Sequence, residues 1–309
     1  VRGGRAKPVD CTFMIMAFDP SVHRHYLAQE FDILQDPGRY KLLRVLGVLL
    51  IQNTHPGLLP VAAAYFDPDA LSVVVLYEEM QQDMRELVQC LGSMPEPLIA
   101  YTLVAIVESL ATLHAAGLVH NGVATYEVYS DMTGRIRLGG YALWSDKNKG
   151  VISSDDPELD IGHYGDDVTF MPPERLLQYE ATPFSDMWAL GLVAIELAAA
   201  RHAYATDSLE LSLVAEDVEA RIKRTHAFKG LVVRSEAPTI PAKLWRRFSP
   251  ALHDLIARCT SKVPEHRPFP QALLTHELLT SYPEAGPSEM LAWIGGTLNT
   301  AQHPRKNIP

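Results

Sequence analysis

The stretch LATLHAAGLVHNGVATYEVYSDMTGRIRLGGYALW, Leu110–Trp144, decides how the rest of the chain is read. It divides into the end of a long helix, a tight loop, a hairpin and a second loop. Gly117 stands where a helix-ending glycine is expected, because a left-handed residue closes an α-helix without a Cβ penalty. The tight loop begins at His120-Asn121-Gly122, and the second loop at Gly140-Tyr141-Ala142.

Upstream, Gln81–Ala116 reads as helical, and Leu98–Ala116 is apolar around the whole helix, as a buried helix is. Before it, LLPVAAAYF and LSVVVLYEEM read as two strands joined by the turn residues Asp67-Pro68-Asp69. Ser21–Gln52 carries two helical patterns, VHRHYLAQEFDIL and RYKLLRVLGVLLIQ, separated by Asp36-Pro37-Gly38. The second has an apolar face at Leu42, Leu43, Leu46, Leu49 and Leu50. Cys11–Phe18, CTFMIMAF, reads as a strand.

Downstream, Asp146–Thr169 is polar and acidic, and its carboxylate spacing matches no calcium loop. Phe170-Met171-Pro172-Pro173-Glu174 follows. SDMWALGLVAIEL then starts a helix with Ser185 as the expected N-cap. Arg201–Phe248 is less patterned. Leu252–Leu279 is helical, and Met290–Ile294 suggests one more short helix.

The 309 residues are 47% hydrophobic, enough for a sizeable core in one or two domains. A formal charge of −10 argues against nucleic acid as the main partner, because phosphate binding needs a basic surface. The three cysteines, Cys11, Cys90 and Cys259, form no zinc-spaced cluster and read as buried free thiols. No apolar run is read as long enough to span a membrane. The chain opens at Val1, as a trimmed or processed chain does, so its start carries no information on a leader.

The run HAAGLVH, the triplet Pro172-Pro173-Glu174, SDMWALG and the region around His266-Arg267-Pro268 resemble protein-kinase signatures. The resemblance extends from about Cys11 to Leu279. It implies an α+β, bilobal protein kinase-like fold. A small β-rich lobe would span 1–80 and a large helical lobe 81–309, with a hinge at Tyr77–Met80. The glycine-rich loop would be missing or truncated, since only Gly3 and Gly4 precede the first strand.

The resemblance also assigns positions. The family loop H-R-D-x-K-x-x-N corresponds to His120, Asn121, Gly122, Ala124 and Glu127, and D-F-G to Gly140, Tyr141 and Ala142. The strand V-A-I-K is matched to Cys11–Phe18, with Met14 at the alanine and Met16 at the lysine. The helix glutamate that pairs with that lysine falls at Leu46, with Glu30 as the fallback. Tyr129 would lie under the adenine site, and with Met14 above would fill it. Leu50, Val61, His120 and Tyr141 would stack as a spine through the lobes. Asp186 would accept hydrogen bonds from the catalytic-loop backbone, and Glu174 would form a buried pair with Arg267.

Phosphoryl transfer needs a proton acceptor, held magnesium and neutralised phosphate charge. With Met16, Gly122, Ala124 and Gly140 at the family's charged positions, the expectation is a chain that is not an enzyme. It would hold no metal or cofactor and bind ATP weakly or not at all. It would act as a pseudokinase, a protein-binding scaffold or allosteric partner. Two alternatives stay open: a divergent phosphotransferase using Glu127 for metal, and a nucleotide-binding sensor without transfer.

The missing glycine loop and altered loops resemble the secreted apicomplexan kinases that lack a glycine-rich loop, bradyzoite pseudokinases among them. That resemblance implies secretion into the parasitophorous vacuole or cyst wall. Other proteins would be its partners, active kinases or vacuole and cyst-wall components, with no nucleic acid and no membrane span. A cytoplasmic setting is the alternative.

Overall fold

A computed structural model describes residues 14–19, 24–32, 55–68, 72–78, 80, 82–140, 145–146, 165–177, 179–205 and 218–302. The expectations at Leu46, Leu50 and Tyr141, the second helical pattern and the glycines near the start lie outside these residues.

The amino-terminal part is a four-stranded antiparallel sheet of order β1-β2-β4-β3. Its strands are β1 (Met14–Asp19), β2 (Arg24–Asp32), β3 (Val61–Asp67) and β4 (Ser72–Glu78). The helix expected over VHRHYLAQEFDIL is corrected, because its centre is β2. That strand is paired on both sides, from Met14↔Gln29 to Asp19↔Arg24 and from Tyr26↔Glu78 to Asp32↔Ser72. Two hydrogen-bonded neighbours outweigh the helical preference of Leu27, Ala28, Gln29 and Glu30. Glu30 therefore stands on a strand opposite Val74. Met14 and Met16 stand on the edge strand β1, separated from β4 by β2.

The remaining elements are largely helical. Two residues, β5 (Gln82–Asp83), lead into α1 (Met84–Leu91), which Asp83 caps by accepting from the Glu86 amide at 2.8 Å. The continuous helix expected over Gln81–Ala116 is thus two, with a break at Gly92–Pro95, where Gly92 has φ +87° and Pro95 starts the next. α2 (Glu96–Ala115) buries Leu98, Ile99, Leu103, Ile106, Val107 and Leu110. By length and composition this one helix is apolar enough to cross a membrane, which corrects the expectation of no such run. Its apolar side chains are spent on protein contacts, and 56% of its most apolar window is buried. The turn at Gly57 packs so tightly on α2 that a Cβ there would meet Ser109 Oγ at 2.4 Å.

Short strands follow: β6 (Leu118–Val119), β7 (Val128–Ser130), β8 (Ile136–Leu138) and β9 (Ser145–Asp146). β5, β7 and β8 form one sheet, and β6 pairs with β9. The Leu59 amide donates to Leu138 O at 2.9 Å and the Leu138 amide to Gly57 O at 2.8 Å, which ties the lead-in to β3 onto β8.

The core centres on α4 (Pro183–Ala199), preceded by α3 (Pro173–Leu176). α4 is buried on all sides, as its apolar composition requires. Its N-cap is Thr182, not Ser185. Ser185 sits at the third helical position, where its hydroxyl accepts from the Thr182 amide at 3.2 Å. α6 (Pro250–Cys259) packs directly on α4, α5 (Val218–Arg234) on α3, α7 (Pro270–Leu273) and α8 (Glu277–Thr280) on α2, and α9 (Pro287–Gln302) on α1. α9 is longer than the short helix expected at Met290–Ile294. Cys259 is buried, but Cys90 is exposed on α1, correcting the reading of both as buried thiols.

One ion pair locks this region. Arg267 donates from both terminal nitrogens to Glu174, at 2.6 and 2.8 Å, and also to the carbonyls of Ser261 and Phe184 at 2.8 and 2.9 Å. Its side chain is fully buried, and its guanidinium lies 5.1 Å from the Trp188 ring centre. Removing one partner strands the other charge in the interior. Arg267→Met is expected to lose about 3–5 kcal/mol of stability in urea unfolding, and Arg267→Met with Glu174→Gln to recover part of it.

Candidate functional site

The loop between β6 and β7 is built on the side chain of Asp186, which α4 delivers from 66 residues away. Asp186 Oδ2 accepts from the His120 amide at 2.9 Å and Oδ1 from the Asn121 amide at 2.8 Å. His114 Nε2 donates to Oδ2 at 2.8 Å, since a carboxylate can only accept. All of these groups are shielded from water, where charge-assisted bonds are strongest. Asn121 takes φ +62°, a left-handed bend that asparagine tolerates better than most residues. Two amides and one imidazole held by one carboxylate fix the start of the loop.

His120 is buried. Its Nε2 lies 2.6 Å from Gly139 O and its Nδ1 3.2 Å from the Gly122 amide. A carbonyl accepts and an amide donates, so the ring carries its proton on Nε2. Burial pushes its pKa down to about 4, against the smaller opposing pull of Asp186 and the Gly139 hydrogen bond. His120 is thus a neutral bridge between the loop 120–127 and the Gly139-Gly140 turn.

Gly122 and Ala124 are buried, and neither has a side chain that takes up a proton or holds a cation. Gly140 has φ +77°. A Cβ there would lie 3.0 Å from His120 Cε1 and 3.1 Å from Glu127 Cγ. At Gly139, a Cβ would meet Tyr129 Cε2 at 2.9 Å and Glu127 Oε2 at 3.2 Å. The Glu127 side chain, from the 3-10 turn Thr125–Glu127, therefore lies across the face that a residue at 140 would otherwise use. Its carboxylate accepts from the Tyr129 hydroxyl at 3.3 Å.

Burial, with Glu127 as the nearby negative charge, raises the pKa of both Tyr129 and Tyr77, so both phenols stay protonated. Burial also raises Asp83 to about 6, against hydrogen bonds from the α1 amides. Among the described residues no three His, Cys, Asp or Glu side chains group as a metal would require.

Val61 is half-buried and packs against the common core. Met14 and Met16 share the edge strand β1. A shallow cleft runs between Asn121–Val123 and Phe170–Pro172, floored by Asp186 and Ala189. Sequence reasoning missed His114, the third donor to Asp186. The available signal was a histidine in the last turn of an otherwise apolar helix.

Gly140→Ala is expected to cost about 2–4 kcal/mol in denaturant unfolding, from the left-handed backbone and the crowding of His120 and Glu127. Gly140→Asp should cost as much, so a carboxylate at this position destabilises the chain. His120 predicts an acid-sensitive window. Its folded pKa lies below the ordinary 6.5, so the unfolded chain takes up the proton first. Its contribution is intact above pH 6.5 and is lost as pH falls toward 4, at up to about 1.4 kcal/mol per pH unit. Stability measured across that window should fall less steeply in His120→Gln than in the wild type.

Residues 41–279 match the family model of the protein kinase domain. Similar proteins include mitogen-activated protein kinase kinase 3 of Arabidopsis thaliana, 21% identical over 262 residues, covering 84% of this chain and 46% of the relative. Mitogen-activated protein kinase kinase 5 of Leishmania mexicana is 28% identical over 218 residues, covering 70% and 37%. Protein kinase wis1 of Schizosaccharomyces pombe is 25% identical over 239 residues, covering 74% and 34%. The chain spans less than half the length of each of these relatives. They are named as protein kinases, and this overturns the expectation that the chain is not an enzyme. With a family match across most of its length, the chain belongs to the protein kinase domain family.

Proposed function

We propose that this kinase domain works by binding other proteins, as a scaffold or allosteric partner, and that any phosphoryl transfer it performs depends on Glu127. The observation that carries the reading is the contrast within the loop. Its backbone is held by Asp186 as a rigid unit, while positions 122, 124 and 140 bear no charged side chain. A rigid, well-packed frame suits recognition, which depends on pre-organised surfaces. The small strand-rich lobe, residues 1–80, and the large helical lobe, 81–309, are the two units that a partner would bridge or clamp.

A second reading, a divergent phosphotransferase, is favoured by the relatives named as protein kinases and by Glu127 itself. Glu127 is the only carboxylate in the loop 120–127, and it lies against Gly139 and Gly140. A carboxylate in that position is a hard oxygen ligand of the kind magnesium takes. Tyr129, hydrogen-bonded to Glu127, narrows the same space, which favours weak nucleotide binding. The resemblance to secreted apicomplexan kinases supports a setting in a parasitophorous vacuole or cyst wall. Active kinases or components of that compartment would be the partners there.

The test combines transfer and capture. Purified chain is incubated with radiolabelled ATP and magnesium, alone and with a generic protein substrate, beside Glu127→Ala. Transfer above the no-protein control is expected to fall at least about tenfold in the variant. In parallel, partners captured by proximity labelling are expected to be the same for wild type and Glu127→Ala. Undiminished transfer in Glu127→Ala would remove Glu127 from the chemistry. Loss of the captured partners in that variant would sink the scaffold reading.

A further inference from the structure

The turn that leads into α6 is cationic in an acidic chain. From Pro238 to Arg258 there are four Lys and Arg residues against one carboxylate, while the whole chain has a formal charge of −10. That carboxylate, Asp254, is held by Arg258 at 2.7 Å and by His276 at 2.9 Å. The other three cations, Lys243, Arg246 and Arg247, are exposed and make no ion pair among the described residues.

Trp245 stands among them, at the start of the 3-10 turn Trp245–Arg247. Its neighbours Leu244 and Phe248 pack against the core, whereas Trp245 is 45% exposed. The indole lies flat on the His253 ring, with 3.6 Å between ring centres and 15° between planes. The same histidine donates from Nε2 to Trp245 O at 2.9 Å. Leu244 and Phe248 thus hold the turn at both ends and His253 holds the ring. The rest of the indole, the two arginines and Lys243 are left to solvent.

A single exposed aromatic ring is ordinary, and so is a single unpaired cation. A tryptophan fixed in place between three unpaired cations is more specific. Tryptophan settles at the boundary between lipid headgroups and acyl chains, and Lys and Arg lay their stems on apolar surface while their charges reach anions. An acidic peptide would satisfy the cations but would offer the indole no apolar phase to enter. Each cation near an anionic leaflet strengthens partitioning about fivefold, so three together give on the order of a hundredfold. The acidic remainder of the chain opposes this only within about a Debye length, roughly 10 Å at 0.1 M salt.

We propose that Lys243, Trp245, Arg246 and Arg247 form a peripheral docking surface for anionic phospholipid bilayers, with the indole seated at headgroup level. Binding through it is weak and reversible, as attachment without an acyl chain is. It does not use the loop 120–127, so it operates whether or not the domain transfers phosphate.

The test uses the purified full chain and vesicles of phosphatidylcholine with about 30% phosphatidylserine, at millimolar lipid and low salt, read by co-sedimentation. Binding is expected there, is expected to be absent with phosphatidylcholine alone, and should reverse near 1 M salt, where the Debye length is about 3 Å. Arg246→Glu should weaken it at least about fivefold. Lys223→Glu, the same change of net charge on α5, should weaken it less than about twofold. Both residues are exposed, so each variant should melt within about 2 °C of the wild type. Brominated phosphatidylcholine in the same vesicles should quench tryptophan fluorescence in the wild type and much less in Trp245→Phe, whose ring can keep the stack on His253.

No binding to the anionic vesicles, equal binding without phosphatidylserine, equal losses in Arg246→Glu and Lys223→Glu, or undiminished quenching in Trp245→Phe would overturn the proposal. So would capture of polyglutamate through Arg246 by a chain that ignores the vesicles, which would make the surface an acidic-peptide site.

Discussion

The carboxylate of Asp186 sets the geometry on which the centre of this domain depends. It is supplied by the first turn of the most buried helix and satisfies two consecutive backbone amides, His120 and Asn121, together with the His114 ring. An amide buried without a partner costs roughly as much as a lost hydrogen bond, so these two amides can stay in the interior only while Asp186 does. The loop then needs no charged side chains of its own to keep its shape. His120 extends the anchor by donating to Gly139 O, so a single chain of bonds runs from α4 through the loop to the turn before position 140. Structural support and chemical groups are carried by different residues, and the first set is complete whatever stands in the second.

The glycines on the far side of that chain are constrained by what packs on them. Gly140 is left-handed, and its empty Cβ position faces His120 and Glu127. Gly139 faces Tyr129, Glu127 and Leu59. These positions are packed as a group: the Glu127 side chain lies against Gly139 and Gly140, and the Tyr129 hydroxyl donates to its carboxylate. Changing one position alone would bring side chains into collision. The tyrosines beside Glu127 stay protonated, which gives that carboxylate a donor rather than a competing charge.

Much of the helical part was legible in the sequence because its signals are local. The break at Gly117, the apolar surround of α2 and the run Pro183–Ala199 each announce a buried helix from neighbouring residues. The strand β2 was not legible, since Leu27-Ala28-Gln29-Glu30 prefers a helix in isolation and becomes a strand only between β1 and β4. The capping of α4 was off by one turn because Thr182 and Ser185 both suit an N-cap, and only the backbone at Thr182 and the bond from its amide to the Ser185 hydroxyl distinguish them. Glu174 and Arg267, 93 residues apart, could be named together only through the kinase resemblance. His114 and Arg85 had no such guide. Each meets a partner on α4 that no spacing rule connects with it.

Those two misses share a cause that says something about the fold. α4 carries two buried carboxylates, Asp186 in its first turn and Glu196 in its last, and each is met by a polar group from another helix, the His114 ring and the Arg85 guanidinium. Burying two charges in one central helix is unfavourable unless each gathers donors, and those donors must come from elements that pack against it. The two carboxylates thereby specify which elements surround α4: at one end the close of α2 and the loop after β6, at the other α1 and the turn before β7. An all-apolar helix of the same shape would bury as much surface without choosing among neighbours. The polar ends of α4 make that choice, and the loop 120–127 lies between them, held at His120 and Asn121 by the first and at Thr125 by the second.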